Sequence, residues 1–159
     1  MAESSADLID LVPRILEDEF IYYRDPTGVI VGILTASDLA GAFQINAGPY
    51  IRVGEIEARI RQILDRLPLP TLRAFLKDSN VSEFNGASDM TFGEYVKALK
   101  DEEVWSELGL PFDQGSCVAT LDKVRLVRNA IMHFGEPTDD DSTRAIDQTL
   151  NWLRLVGEE

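Results

Sequence analysis

Residues 121–134 read LDKVRLVRNAIMHF and contain the single histidine of the chain, His133. The segment predicts a helix with one buried face, because its apolar residues recur at helical spacing: Leu121, Val124, Ile131 and Met132. Arg128 falls on the same face, and a guanidinium among apolar residues needs a partner or a function. Gly135 and Pro137 then end the helix. The stretch therefore predicts a functional site at the end of a helix that belongs to the core.

The composition fits one domain, or a small module attached to a larger one. The chain has 159 residues, of which 45% are hydrophobic, so it can bury a substantial core. No apolar run has the length of a membrane span, and residues 1–7 (MAESSAD) lack the features of a secretory signal. The single cysteine, Cys117, cannot form an internal disulfide. A cytoplasmic location, without a membrane partner, is the expectation.

The net charge of −13, from 28 acidic and 15 basic side chains, opposes non-specific binding to nucleic acid. The sign reverses locally between residues 123 and 128, where Lys123, Arg125 and Arg128 are unopposed within the segment. A basic patch of this size suits a small phosphate or a short RNA better than a long duplex.

The first forty residues predict a small α/β module. Apolar spacing predicts a helix over residues 5–18, and β-branched and aromatic residues predict strands over 20–24 and 29–35. Residues 25–28 (DPTG) form the turn between these strands. The second strand is apolar on both faces, so we expect both faces to be covered. A short helix then opens at Asp38.

This module resembles the latter part of a CBS module in residues 24–28 (RDPTG), 31–35 (VGILT) and 37–39 (SDL). The resemblance implies an adenine nucleotide effector, with Thr35 at a phosphate and Asp38 at the ribose hydroxyls. A hydroxyl and a carboxylate at a helix N-terminus lie where amide donors point outward. The alternative is that Thr35 and Ser37 only cap the helix and Asp38 interacts favourably with its dipole. CBS modules normally pair, so the resemblance also implies a homodimer.

From residue 53 onward the sequence predicts only helices, after a linker over residues 43–53 that contains Gly48 and Pro49. Thr91 and Glu94 have the spacing of a capping box, which predicts a helix starting at residue 92. The other predicted helices cover residues 53–67, 71–77, 102–108, 121–134 and 143–156. The two tryptophans, Trp105 and Trp152, occupy apolar positions of these helices and are predicted to lie in the core.

Residues 124–134 (VRLVRNAIMHF) resemble the signature of the HEPN superfamily. These small helical bundles carry an Arg-x(4–6)-His motif near the end of a late helix, often with Asn directly after the Arg. Arg128, Asn129 and His133 match all three positions. The chain is therefore interpreted as mostly α, with a partial CBS-like α/β module over residues 1–47 and a HEPN-like helical bundle over residues 48–159.

The HEPN resemblance implies a metal-independent endoribonuclease that acts as a dimer. His133 would take the proton from a ribose 2′-hydroxyl, and Arg128 would hold the scissile phosphate. Asn129 would orient either the His133 side chain or the phosphate. The expected partners are a second copy of the chain, single-stranded RNA and an inhibitory partner protein. No cofactor is required, and one histidine without paired cysteines does not favour a metal site.

The residues also allow a simpler interpretation. At about 100° per residue, Arg128 and His133 lie roughly 140° apart around a straight helix. One active site would need the helix to unwind near Met132, or a second chain to complete the site. Otherwise Arg128 forms an ion pair with Glu55 or Glu57, and His133 is a C-cap. The chain would then be a non-catalytic nucleotide-sensing or protein-interaction module.

Overall fold

The computed structural model describes residues 7–78, 83–133 and 139–156, together with the backbone of residues 2 and 3. The chain divides into two compact units, Met1–Gly48 and Pro49–Glu159. The division falls one residue after the boundary that the sequence predicts. Most of the described residues are helical and one small sheet accompanies them, which confirms the expected mostly-α class at this level.

The N-terminal unit contains the sheet, whose strands lie in the order β1-β2-β3. The predicted hairpin is present: β2 (Phe20–Arg24) pairs antiparallel with β3 (Ile30–Thr35). The side chain of Asp25 closes the turn by accepting hydrogen bonds from residues 27 and 29. β1 (Ala2–Glu3) pairs parallel with β2 and was not predicted, because two residues carry no periodic pattern.

One helix of this unit contacts the sheet. α1 (Leu8–Asp18) starts at an Asp7 cap and contacts β2, where Ile15 and Ile21 are buried. The expectation that both faces of β3 are covered is wrong, because Val31 is 51% exposed and its neighbours are similarly open. A single short helix cannot cover two faces of a hairpin.

The predicted linker and the short helix before it are both wrong, because α2 runs without a break over Ala36–Leu64. Pro49 lies inside this helix, where it removes one backbone hydrogen bond to the carbonyl of residue 45. Alanine-rich sequence on its N-terminal side favours helix strongly enough to continue through that loss. Gly48 and Pro49 therefore do not end the helix, although such residues often do.

The remaining elements that the structure describes are helices. Three starts differ from the prediction: the short helix spans Leu69–Arg73 instead of 71–77, the long helix begins at Gln114, because Asp113 caps it through the N–H of Ser116, and the last helix begins at Asp140. The elements are α3 (Leu69–Arg73), a 3-10 helix (Ala87–Asp89), α4 (Phe92–Leu99), α5 (Glu102–Leu108), α6 (Gln114–Met132) and α7 (Asp140–Val156).

The core of this second unit is built from the apolar faces of α2, α4, α6 and α7, and α6 contacts both α4 and α7. The capping box of Thr91 and Glu94 is confirmed, as are the buried positions of Trp105 and Trp152. Met132 is 49% exposed rather than buried. The fully buried members include Ile56, Ile60, Leu64, Tyr95, Leu99, Leu121, Val124, Ile146 and Leu153.

Candidate functional site

Arg128 of α6 forms an ion pair with a residue of α2. Its Nε donates a 3.1 Å hydrogen bond to Oε1 of Glu57. The ion-pair alternative is therefore confirmed, with Glu57 as the partner, whereas Glu55 pairs with Arg59 and Arg154. The Arg128 side chain stays 34% exposed, and its Nη1 and Nη2 make no hydrogen bond with the described residues.

Glu57 joins Arg128 to a network of three further groups. Its Oε2 accepts a 3.0 Å hydrogen bond from Nη2 of Arg61. Nε of Arg61 donates to the hydroxyl of Tyr95 at 2.8 Å, and that hydroxyl donates to the carbonyl of Ala87 at 2.9 Å. The Tyr95 hydroxyl raises the pKa of Arg61, while burial raises the pKa of Tyr95 itself. Arg61 is therefore charged, and its guanidinium is fixed between α2 and α4.

Three arginines line one cavity of about 330 Å³ in the second unit, Pro49–Glu159, which we call the helical unit. They are Arg61, Arg125 and Arg128, whose side chains are 34–40% exposed. Among the described residues, Glu57 is the only carboxylate in the lining, which is completed by Asn129 and residues 90–93. We call this site the arginine cavity. Its lining carries three positive charges and one negative charge on a protein that is acidic overall.

The expectation that the basic residues of α6 are unopposed is wrong. Lys123 pairs with Asp141 of α7 at 3.0 Å, and Arg125 pairs with Asp122 at 3.3 Å. Asp141 lies on another helix and could not be identified from the segment, whereas Asp122 stands three residues before Arg125 on the same helix. Only part of each guanidinium is engaged, since a guanidinium has five N–H donors and Arg125 and Arg128 each donate one to their ion-pair partner.

His133 does not share the arginine cavity. It is the C-cap of α6, where its backbone N–H donates to the carbonyls of Asn129 and Ala130. The helix is continuous through Met132, so the unwinding that an active site within one chain would need is not present there. The side chain is exposed and lines neither described cavity of the helical unit. Residues 134–138, which include the predicted helix stop, lie outside the described residues.

A second, smaller cavity of about 200 Å³ shares Glu57 and Arg128 with the first. Its other lining residues are mostly apolar and come from α2 and from the last turn of α6. Several are well exposed, with Tyr50 at 59%, Ile51 at 54% and Met132 at 49%. The Glu57–Arg128 ion pair thus lies between a basic cavity and an apolar one.

The predicted nucleotide-binding residues of the N-terminal unit bond to each other. The backbone N–H and the hydroxyl of Thr35 donate to Oδ2 of Asp38 at 2.9 and 2.6 Å, and the N–H of Asp38 donates back. The Thr35 hydroxyl holds the pKa of the Asp38 carboxyl below its usual value. The Thr35 hydroxyl thus accepts from the N–H of Asp38 in the first turn of α2, as its capping role predicts, and nucleotide binding at these residues stays a prediction.

Other site chemistry is sparse in the part of the chain that is described. Cys117 is buried, which raises the pKa of its thiol and disfavours a nucleophilic role. No group of three or more acidic, cysteine or histidine side chains in these residues could hold a metal ion. No helix among them is both long enough and apolar enough to cross a membrane.

Arg61 and Tyr95 were not predicted as residues of the site. Arg125 was identified as a basic residue, but its place in the lining of the cavity was not predicted. Glu57 and Arg61 stand four residues apart on α2, a spacing at which a Glu–Arg pair is visible in a sequence. That spacing indicates an ion pair on the surface of one helix. It does not indicate that Glu57 also pairs with Arg128, which lies on α6. Only folding brings the three arginines together.

Comparison with protein-family models, with curated proteins and with solved structures finds no match for the chain. The HEPN and CBS resemblances therefore stay predictions.

Proposed function

We propose that the helical unit binds single-stranded RNA through its phosphates, at the arginine cavity. The observation that carries the proposal is that Arg128 and Asn129, two of the three motif residues, line one cavity with two further arginines. RNA as the ligand class follows from the HEPN resemblance of residues 124–134. The proposal keeps the binding half of the predicted function and needs no second chain.

The cavity offers donors of the right kind. Arg128 has two Nη groups without a described partner, and these can form a bidentate pair with two phosphate oxygens. The exposed amide of Asn129 adds two donors and one acceptor for a phosphate or a base edge. The guanidiniums are only partly exposed, so their hydrogen bonds to phosphate face less competition from water than those at an open surface would.

Binding of a short fluorescent RNA, measured by anisotropy at several salt concentrations, tests the proposal. Loss of one charge-assisted contact costs about 1.5 kcal/mol, so Arg128→Ala should weaken binding about tenfold. The slope of log K against log salt should fall by about 0.7 for the lost phosphate contact. Arg52→Ala is the matched control, because Arg52 also forms one ion pair, at 2.7 Å with Asp147, but lines neither cavity. Equal affinity for the wild type and the Arg128 variant would refute the proposal.

A second candidate function is metal-independent cleavage of the bound RNA, with an adenine nucleotide at Thr35 and Asp38 as a regulator. The observation in its favour is that His133 is exposed and forms no ion pair with a described residue, so its imidazole is accessible to a substrate or a second chain. In a homodimer, His133 of one copy could act beside Arg128 of the other.

Incubation of single-stranded RNA with the protein in EDTA tests the second candidate. We expect products ending in a 2′,3′-cyclic phosphate, formed by the wild type and not by His133→Ala. The histidine variant should still bind RNA, because His133 lies outside the arginine cavity. The absence of cleavage by the wild type, or equal cleavage by the histidine variant, would eliminate this candidate and leave the binding proposal standing.

A further inference from the structure

We infer that the arginine cavity selects a terminal phosphate monoester, at an RNA end or on a mononucleotide, over an internal phosphodiester. This inference rests on the proposed function and names the part of the ligand that enters the cavity. It follows from the charges of the residues that line the cavity, from those of their ion-pair partners, and from the net negative charge of the chain.

The lining holds an excess of two positive charges. Arg61, Arg125 and Arg128 contribute three, and Glu57 removes one. Asp122 pairs with Arg125, but it also pairs with Lys100 at 2.7 Å, so adding both of these residues leaves the excess at two. Asp65 stands outside the lining, where its negative charge still acts on Arg61 while its carboxylate accepts from the N–H of Ala87, so the excess of two refers to the lining itself.

A terminal phosphate matches this excess and an internal one does not. A phosphate monoester carries close to two negative charges at pH 7, whereas each phosphodiester of a nucleic acid backbone carries one. The monoester also has three free oxygens for the guanidinium groups of α2 and α6, while the diester has two. A single backbone phosphate, with one negative charge, would therefore leave one of the two excess positive charges in the lining without a counter-charge.

The acidic body of the protein limits contacts beyond the cavity. With a net charge of −13, the surface opposes an extended polyanion, because each further phosphate adds repulsion. A chain end that inserts one phosphate gains the cavity contacts and keeps the rest of the RNA in solvent. Affinity should then depend strongly on the end group and weakly on RNA length.

Glu57 is the resident counterion of the cavity. Its carboxylate engages both Arg61 and Arg128, at 3.0 and 3.1 Å, and competes there with the oxygens of a ligand. Glu57→Gln removes the competing charge and raises the excess in the lining to three. If the arginines bind a dianion, this variant should bind it more tightly, even where it folds less stably. A purely structural network predicts no gain in affinity.

Binding of five-nucleotide RNAs of one sequence tests the inference, with a 5′-phosphate, a 3′-phosphate or neither. We expect at least one phosphorylated RNA to bind ten or more times tighter than the unphosphorylated RNA. AMP should compete and adenosine should not, and the affinity of AMP relative to that of the phosphorylated RNA distinguishes a mononucleotide from an RNA end. Equal binding of all three RNAs would overturn the inference while RNA binding itself stands. No binding of any RNA would overturn the proposed function as well.

Three variants connect the preference to the cavity. Arg125→Ala should reduce the phosphorylated-to-unphosphorylated affinity ratio toward one, and Glu57→Gln should tighten binding of the phosphorylated RNA severalfold. Gly93→Glu places a carboxylate beside the cavity, where an added Cβ meets nothing within 4 Å, so the fold should tolerate it while phosphate binding is lost. Gly41→Glu is its matched control and should bind normally, because it adds the same charge at a position of α2 that lines neither cavity and where an added Cβ also meets nothing within 4 Å. An unchanged affinity ratio in folded Arg125→Ala and Gly93→Glu proteins would also overturn the inference.

Discussion

The Tyr95→Phe variant tests whether the buried hydroxyl of Tyr95 stabilises the fold around the arginine cavity and keeps Arg61 in place. Tyr95 is 1% exposed, and its hydroxyl accepts from Arg61 and donates to Ala87. The carbonyl of Ala87 keeps a second hydrogen bond, from the N–H of Met90, so loss of this contact costs about 1 kcal/mol. Arg61 is a charged donor, but its side chain is 40% exposed and regains water, so we discount that loss to about 1 kcal/mol.

The variant should therefore be less stable by about 2 kcal/mol, which lowers Tm by about 6 °C for a chain of this length. Urea denaturation gives the free energy of unfolding directly, and the matched control is Tyr22→Phe. Tyr22 is 45% exposed, so removal of its hydroxyl should change stability by less than about 0.5 kcal/mol.

The same variant should also weaken phosphate binding. Arg61 keeps its bond to Glu57 but loses the contact that fixes its Nε toward α4, so the guanidinium can leave the cavity. We expect the affinity for phosphorylated RNA to fall severalfold, less than in Arg61→Ala. A normal Tm would refute the structural role of the hydroxyl. A reduced Tm with unchanged RNA affinity would refute the place of Arg61 in the site.

Three further predictions concern stability. Arg154 holds the pKa of Glu55 below its ordinary value of 4.5, so this carboxylate stabilises the fold above that pH and ceases to do so as pH falls through its folded pKa. Glu55→Gln should therefore flatten the decline in the free energy of unfolding that urea denaturation measures below pH 4.5. Leu121→Ala, at a fully buried position, should cost about 3–5 kcal/mol in the same measurement. Gly109→Ala should cost about 1 kcal/mol because Gly109 has a φ of 63°, whereas Gly93→Ala should gain about 0.5 kcal/mol; equal effects of the two would contradict the left-handed cap.

Local signals predicted the elements whose stability is local. The capping box at Thr91 and the hairpin turn at Asp25 both depend on residues within four positions of each other, and both are present. α2 shows the limit of such signals. Pro49 costs one hydrogen bond, yet the helix continues through it, because a breaker acts by a finite free energy that its neighbours can offset.

The candidate site was predictable only in part, because its charges pair across the fold. The sequence identified Arg128, and it offered Glu57 as one of two partners for a partly buried guanidinium. It did not identify Tyr95 as a hydrogen-bond partner of Arg61, since the two lie 34 residues apart and either residue alone fits a helix surface or a core. The excess of positive charge in the cavity is likewise a tertiary property of a chain whose total charge is strongly negative.

The geometry of α6 separates binding from cleavage. Five residues at about 100° each turn the helix by roughly 140° beyond one full revolution, and α6 stays helical from Arg128 through Met132, just before the His133 cap. Arg128 engages Glu57 on the core-facing side, so the imidazole of the same chain lies off the arginine cavity. A phosphate can bind in one copy of the chain, but proton transfer by His133 at that phosphate requires a second copy. Binding should therefore persist at protein concentrations where a dimer dissociates, and any cleavage should decline with the dimer.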